Sequence, residues 1–525
     1  MKSFPPLLTV LCALLLLPPL GVKASASEPK RPNILFIIFD DLGWQHVGAY
    51  GCHWVKTPNF DRVAREGVKF TSAFTSNPKC SPCRATALTG RNTWQLEQAV
   101  SHFGYFPANY EVYPDLLEKA GYTVGLTGKG WGPGDFKTLA KRTRNPAGPS
   151  FDQATLKPPT TGIARGDYAK NFETFLAQRD KAAPFCFWMG FHEPHRPYEL
   201  HSGERLGKKL EEVTVPSYLP DVRAVRGDLA DYSIEVEWAD GHIGRALEAL
   251  QAAGELDNTI VVVTSDHGMP FPYVKGQIHE DGFHIPMAVR WPGVIQPGRV
   301  VDDLINIRDL APTFMEAAGL KPGAQMTGHS LLSLLHSPKS GWVENRDVML
   351  MGKERHDIGR PHDLGYPVRA IRTKDFLYVH NFNPERWPAC DPETNFGNCD
   401  DSPSKEVLKL LGPGNYFYEL SFGKRQADEL YQLATDPEGV HNLANDLFYG
   451  AKVAELRDRM MAMLKEDKDP RALGQAAVFD TYPYVGSRAK GYETWLKQQD
   501  QKLSDEAEAR SMPLKGGKEG REVVP

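Results

Sequence analysis

The chain has 525 residues, 41% hydrophobic and 24% charged. That is a globular balance, and at roughly 150 residues per domain the length allows two or three domains, or one large α/β domain with a smaller one attached. A formal net charge of −5 excludes a broad basic surface for nucleic acid, so an anionic substrate must meet a local cluster of cations.

The first residues read as an address. Lys2, the almost unbroken apolar run Leu7 to Leu17, the breakers Pro18 and Pro19, and the small residues Ala24-Ser25-Ala26 make a signal peptide over 1–26, cleaved after Ala26. The run is shorter than the ~20 residues that span a bilayer, and no later segment is long and apolar enough to do so. An exported protein without stable membrane insertion is expected. Asn-x-Ser/Thr does not occur in the sequence, which disfavours lysosomal delivery by glycan tags and favours a periplasm or the extracellular space.

Four apolar runs follow: Ile34 to Phe39, Tyr122 to Leu126, Phe185 to Met189 and Ile260 to Val263. Runs apolar on both faces predict strands buried on both sides. Between them Tyr113 to Ala120 and Ile234 to Ala253 predict helices, the second from the recurrence of Ile234, Trp238, Leu247 and Leu250. This alternation predicts an α/β fold with a doubly wound, mostly parallel sheet over residues 27–345. After a Pro/Gly-rich linker at 322–340, strands at Val348 to Met351, Val368 to Arg372 and Phe376 to Val379 and a helix at Ala451 to Lys465 predict a smaller antiparallel-sheet subdomain over 346–503. Residues 504–525, polar and rich in Gly, Lys and Glu, predict a disordered tail.

Of the seven cysteines, Cys12 leaves with the signal peptide. Cys390 and Cys399 share a Pro/Asp/Asn/Gly-rich loop that suits a local disulfide, while Cys52 and Cys186 read as buried thiols. Cys80 and Cys83 read as half a zinc site or a redox pair, although no second C-x-x-C completes a structural zinc site.

Polar groups stand where the four strands end: Asp40-Asp41, Gly128-Lys129, His192 to His195, and Asp266-His267. Any one alone reads as a turn or helix cap; together they form a constellation, because open α/β sheets bind ligands outside the carboxyl ends of their strands. Asp40, Asp41 and Asp266 with one more N or O donor suit a hard divalent cation, Ca²⁺ or Mg²⁺. Arg84, Lys129, His195 and Lys275 add the positive charge and protons that an anionic tetrahedral ester needs. An obvious nucleophile is missing.

The segment Cys80-Ser81-Pro82-Cys83-Arg84-Ala85-Thr86-Ala87-Leu88-Thr89-Gly90-Arg91 resembles the signature of type I sulfatases, in which the cysteine of C-x-P-x-R becomes formylglycine. Asn33 to Gly43, Ser265 to Met269, and Glu429 to Leu433 with Asp436-Pro437 extend the likeness over nearly the whole chain after the signal peptide. The resemblance implies an alkaline-phosphatase-like sandwich around the large sheet, a bound calcium, and a formylglycine-generating enzyme or equivalent maturase as partner. Carried over, Cys80 is the formylglycine precursor, whose hydrate attacks sulfur with one hydroxyl and expels sulfate through the other. Arg84 holds that hydrate, and Asp40, Asp41, Asp266 and His267 are the metal ligands. Lys129 and Lys275 clamp sulfate, and His195 faces the leaving group.

Two positions depart from the family. Its G-K-x-H motif is Gly128-Lys129-Gly130-Trp131 here, and its C-x-P-S-R serine is Cys83. Phe191 to Arg196, Gly268 to Pro272, Tyr366 to Arg369 and His380 to Asn383 resemble the sulfamidase branch, the heparan N-sulfatases, although Lys275 stands where that branch carries arginine. The implied substrate is a sulfated glycan, attacked at an O-sulfate or an N-sulfate.

Lys353, Arg355, His356, Arg360 and His362 form a cationic stretch between two C-terminal strands. It reads as a solvated loop or, through Lys353, His356, Arg360 and His362, as the lining of a sugar pocket. Three functions are thus expected in order: a sulfatase, a phosphate or phosphonate ester hydrolase of the same superfamily, and an inactive glycan-binding relative.

Overall fold

The four apolar runs become four neighbouring parallel strands. The computed structural model describes residues 1–3, 30–138, 141–486 and 491–511; most of the expected signal peptide, with its cleavage site, lies outside them. The large sheet contains β1 (Asn33–Phe39), β2 (Val68–Phe74), β3 (Thr123–Gly128), β4 (Phe185–Gly190), β5 (Thr259–Ser265), β6 (His284–Arg290), β7 (Arg299–Val301) and β8 (Ile305–Asn306). Its order is β3-β4-β1-β5-β6-β2-β7, with β8 also paired to β2. Strands β3, β4, β1 and β5 run parallel, whereas β6 is antiparallel to both β5 and β2.

Alternation along β1 explains the two-sided core. Leu35, Ile37 and Phe39 enter one apolar cluster with Leu229, Tyr232, Val236, Ile243 and Leu247 of the helix Arg223–Ala252. Ile34, Phe36 and Ile38 enter another with Leu88, Leu117 and Phe314, from the helices Cys80–Thr89, Tyr113–Lys119 and Leu310–Ala317. Helices on both faces of a mostly parallel sheet are the architecture the alternation predicts.

The long helix starts well before Ile234, and its first turns bury acids as well as aliphatics. Asp228 takes two bonds from Arg196, at 2.7 and 2.8 Å, and Asp231 accepts from the backbone N–H groups of His201 and Gly203. Strands β2 and β6 go beyond the expected set. Pro286 interrupts β6 and cannot donate to a ladder; it falls at the register shift between Phe70 and Ala73 of β2, beyond the paired stretch of β5.

The second sheet is antiparallel in the order β12-β11-β10-β9, with β9 (Val348–Lys353), β10 (Val368–Thr373), β11 (Phe376–Asn381) and β12 (Asp428–Gln432). One face takes Val453, Leu456, Met460 and Leu464 of the helix Gly450–Glu466. The other packs Met351, Val368, Ala370 and Val379 against Phe74, Phe283 and Leu304. The described residues from Arg31 onward accordingly form one compact unit.

Two expectations need correction. The helix Tyr492–Ser511 runs past Ser504, so the tail is helical as far as Ser511, and residues 512–525 lie outside the described set. Strong helix formers such as Glu506, Ala507 and Glu508 sustain it without an apolar stripe, and its first turn is tied down where Tyr492 N–H donates to Asp363 Oδ1 at 3.2 Å. Cys390 and Cys399 are free thiols. Their sulfurs face different partners, Cys390 the carbonyls of Asp357 and Ile358 and Cys399 the carbonyl of Asp400.

Candidate functional site

Parallel register brings the carboxyl ends of β3, β4, β1 and β5 to one edge of the sheet, and backbone bonds knit the loops that follow. Lys129 N–H donates to Gly190 O at 2.7 Å, Asp40 N–H to Glu193 O at 3.0 Å, and Asp266 N–H to Phe39 O at 3.2 Å. Asp41 adopts a left-handed backbone, φ 76°, a conformation that costs free energy in a non-glycine residue and persists where surrounding bonds enforce it. Its N–H donates to Asp266 Oδ1 at 3.1 Å, and the next N–H, of Leu42, to Ser265 Oγ at 2.9 Å.

The helix Cys80–Thr89, wholly buried, points its N-terminus at this edge. Residues four apart share a helix face, so Cys80 and Arg84 both look into the site. Arg84 uses its whole fork there: Nε to Asp266 Oδ2 at 3.0 Å, one terminal nitrogen to the carbonyls of Lys129 and Gly130, and the other toward Phe39 O. Cys83 packs into the apolar cluster instead, where burial pushes its thiol pKa up. Trp131 is likewise a core residue, its Nε1–H donating to Ser81 O at 3.0 Å and its ring edge-on to Phe106. It buttresses the start of the helix from behind.

Around Cys80 stand the expected ligands. His267 Nε2 lies 3.2 Å from Asp41 Oδ1, 3.6 Å from Asp266 Oδ1 and 3.4 Å from Cys80 Sγ. Asp40 Oδ1 and Asp41 Oδ1 are buried and accept no hydrogen bond. Two orphaned carboxylate oxygens, a third carboxylate and an imidazole nitrogen fit a hard divalent cation.

The flanking cations are buried too. Lys129 Nζ bonds Asp40 Oδ2, while Lys275 Nζ lies 2.7 Å from Asp41 Oδ2 and 2.8 Å from Asp400 Oδ2. Burial pushes the Asp40 carboxyl upward, yet Lys129, His195, Arg84 and Lys275 together outweigh it and hold the group well below the usual range. Burial likewise works against the charge of Lys275, and Asp400 and Asp41 reverse it, raising the ammonium well above its usual value. Burial and the Asp40 carboxylate push the Cys80 thiol well up. His195 is the most open member: its Nδ1–H donates to Arg196 O at 2.7 Å, and its Nε2 faces Asp41 Oδ2 at 4.0 Å.

Asp40, Cys80, Lys129, His195 and Lys275 line one cavity of about 680 Å³. The four expected sugar contacts do not. Lys353 is buried on Gly276 O at 2.6 Å, His356 Nε2 on Asn77 Oδ1 at 2.7 Å, and Arg360 on the carbonyls of Trp387 and Pro388; His362 is exposed beside Glu493. The chain dives inward after β9, so these groups satisfy buried backbone and side-chain acceptors or face bulk solvent.

The same stretch does reach the cavity through Asp357, which sequence reasoning passed over for its cationic neighbours. Asp357 lies 2.9 Å from Lys79 Nζ and 2.7 Å from His102 Nδ1, and all three line the wall with Asp400. Asp400 follows Cys399, and the cysteine pattern drew attention away from it.

Fold and site together define an α/β protein whose carboxylates and cations suit tetrahedral oxyanion esters. Residues 32–320 match the Sulfatase family, and residues 266–400 match the family described as N-sulphoglucosamine sulphohydrolase, C-terminal. The chain belongs to the sulfatases and is a hydrolase of sulfate esters or sulfamates. It is 28% identical over 501 residues to human N-sulphoglucosamine sulphohydrolase, covering 87% of this chain and 94% of that one. A solved structure of a protein in complex with its substrate D-glucosamine-2-N,6-O-disulfate shares the fold, with TM-score 0.61, 21% identity, and coverage of 84% of this chain and 99% of that one. The phosphonate monoester hydrolase of Agrobacterium radiobacter does so at TM-score 0.63 and 21% identity, over 83% and 96% of the two chains.

Proposed function

We propose that this sulfatase removes sulfate, as ester or sulfamate, from the ends of sulfated glycans, using a formylglycine made from Cys80 by a formylglycine-generating enzyme or equivalent maturase. The observation that carries the reading is the meeting of Cys80, Asp40, Lys129 and Lys275 at a cavity of about 680 Å³, within the size range of small-ligand pockets, with Arg84 behind them on Asp266. Human N-sulphoglucosamine sulphohydrolase supports a glycan substrate.

Asp40, Asp41, Asp266 and His267 would hold a Ca²⁺ or Mg²⁺, which would supply positive charge at the site, and a hydrated formylglycine at position 80 would supply the nucleophilic hydroxyl. The chain's own residues do the rest. Lys129 and Lys275, kept charged by carboxylates, neutralise the charge that grows on sulfate in the transition state. The fork of Arg84 holds the start of its helix against Asp266 and the Lys129 loop. His195, with its proton fixed on Nδ1 by the Arg196 carbonyl, turns Nε2 toward the cavity, where, once protonated, it can deliver a proton to the leaving oxygen or nitrogen.

Export to a periplasm or the extracellular space belongs to the same proposal, resting on the leader-like start of the sequence. The test is an intact mass of the purified protein together with turnover of sulfated disaccharides, an aryl sulfate and an aryl phosphate. A mass showing CHO in place of CH₂SH at Cys80, with sulfate preferred over phosphate, is expected. An unmodified Cys80 in a fully active enzyme, or a preference for phosphate, overturns the reading.

A further inference from the structure

Glu235 is out of keeping with its surroundings. It sits on the long helix Arg223–Ala252 with 2% of its surface exposed, and it lines the substrate cavity. Among the described residues neither of its carboxyl oxygens has a hydrogen bond or an ion pair, and Oε1 is sealed from solvent. A buried carboxyl left without a partner is a cost to the fold. Arg196, which lines the same cavity, makes no bond to it, being committed to Asp228 through two bonds and to Pro270 O through a third.

The wall beside it covers one oxygen and not the other. Gly162, at φ +102°, passes so close that a Cβ there would stand 3.2 Å from Glu235 Oε1 and 2.3 Å from Pro197 O, so its backbone seals Oε1, and Oε2 is the oxygen left for a ligand in the cavity. Glu193 lines the cavity on the same side, but its oxygens are occupied, accepting from Tyr168 OH and Ala164 N–H at 2.8 Å each. One carboxyl of the two is therefore satisfied by the protein, and the other is left to the cavity.

We infer that Glu235 is a specificity-determining residue whose carboxyl binds a hydroxyl of the sugar that carries the sulfate. A hydroxyl both gives and takes a hydrogen bond and so completes a carboxyl in either protonation state. Burial, with the neighbouring Glu193, pushes Glu235 up to about 9, and a neutral acid paired with a neutral hydroxyl brings no net charge into the wall. The inference rests on the glycan sulfatase reading. It adds a recognition element on the wall, apart from the carboxylate cluster and its flanking lysines.

The experiment compares Glu235→Gln and Glu235→Leu with the wild-type enzyme in thermal melting, in kinetics on sulfated disaccharides from heparin, and in kinetics on 4-nitrocatechol sulfate. Both variants are expected to melt no lower than wild type, since the unpartnered acid is gone. KM for the disaccharides should rise roughly tenfold with kcat little changed, so that the disaccharide-to-aryl-sulfate ratio of kcat/KM falls by the same factor. Lower melting temperatures would make Glu235 a structural residue and overturn the inference, as would an unchanged ratio. Failure of the wild-type enzyme to act on any sulfate would instead strike at the sulfatase reading, while the melting comparison still reports on Glu235.

Discussion

Arg84 Nε lies 3.0 Å from Asp266 Oδ2, joining the buried helix that begins at Cys80 to the loop that ends β5. Both side chains are fully buried, and the other guanidinium nitrogens are spent on carbonyls. Lysine is a single point donor and cannot reproduce that fork. Arg84→Lys is expected to destabilise the protein by about 3 kcal/mol, as broken buried pairs do, and to lower turnover. Chemical denaturation of the variant checks this.

Cys80→Ala and Cys80→Ser should each lower turnover by more than about 10³-fold, as loss of a nucleophile does, while melting close to wild type. Serine offers one hydroxyl where the hydrated aldehyde offers two. Activity of Cys80→Ala near the wild-type level would contradict the assignment.

Chelation should abolish activity and lower the melting temperature together, with Ca²⁺ restoring both. A ligand present at a hundred times its Kd stabilises by about 2.7 kcal/mol, enough to read by calorimetry. Asp41→Asn should weaken the response to added Ca²⁺, since it removes one of three carboxylate charges from the site.

Asp357 gives the cavity wall a pH dependence on the acid side. Burial raises its carboxyl, but Lys79 and His102 outweigh burial and hold it well below the usual aspartate range. Unfolded aspartates titrate near about 3.9, so the stability this group contributes is complete above that value and is lost as pH falls through its lower folded value. The gap in unfolding free energy between wild type and Asp357→Asn should be about 3 kcal/mol at neutral pH and should narrow below pH about 4. Urea denaturation across that range measures it.

His356→Ala should behave as a structural change. His356 is buried with Nε2 on Asn77 Oδ1, and losing that bond should cost about 1–2 kcal/mol. Activity on a sulfated disaccharide and on an aryl sulfate should fall by the same factor. A loss confined to the disaccharide would return His356 to the sugar pocket.

The expected helix from Ile234 shows where pattern reading stops. It located Arg223–Ala252 from Ile234 onward, where aliphatics recur, and missed the first turns, which bury Asp228 and Asp231, because buried acids look like solvent-facing ones in a sequence. Pro286 hid β6 in the same way, since its tolerance depends on an irregularity in the neighbouring strand. The pairing expected of Cys390 and Cys399 rested on spacing, and spacing does not say which way a sulfur points.

The sequence by itself determined the β–α alternation, the acids and bases at four strand ends, and the family signature at Cys80, because apolar periodicity and local motifs are properties of neighbouring residues. Only the tertiary structure decided which distant groups share the cavity. Lys275 meets Asp400, Lys79 meets Asp357, and Glu235 is left without a partner among the described residues. Lys353, His356 and Arg360 turn away into the core. Those outcomes depend on how the small sheet and the long helix pack against the strand ends, and on the cost of burying a charge without a partner, neither of which is carried by any short stretch of chain.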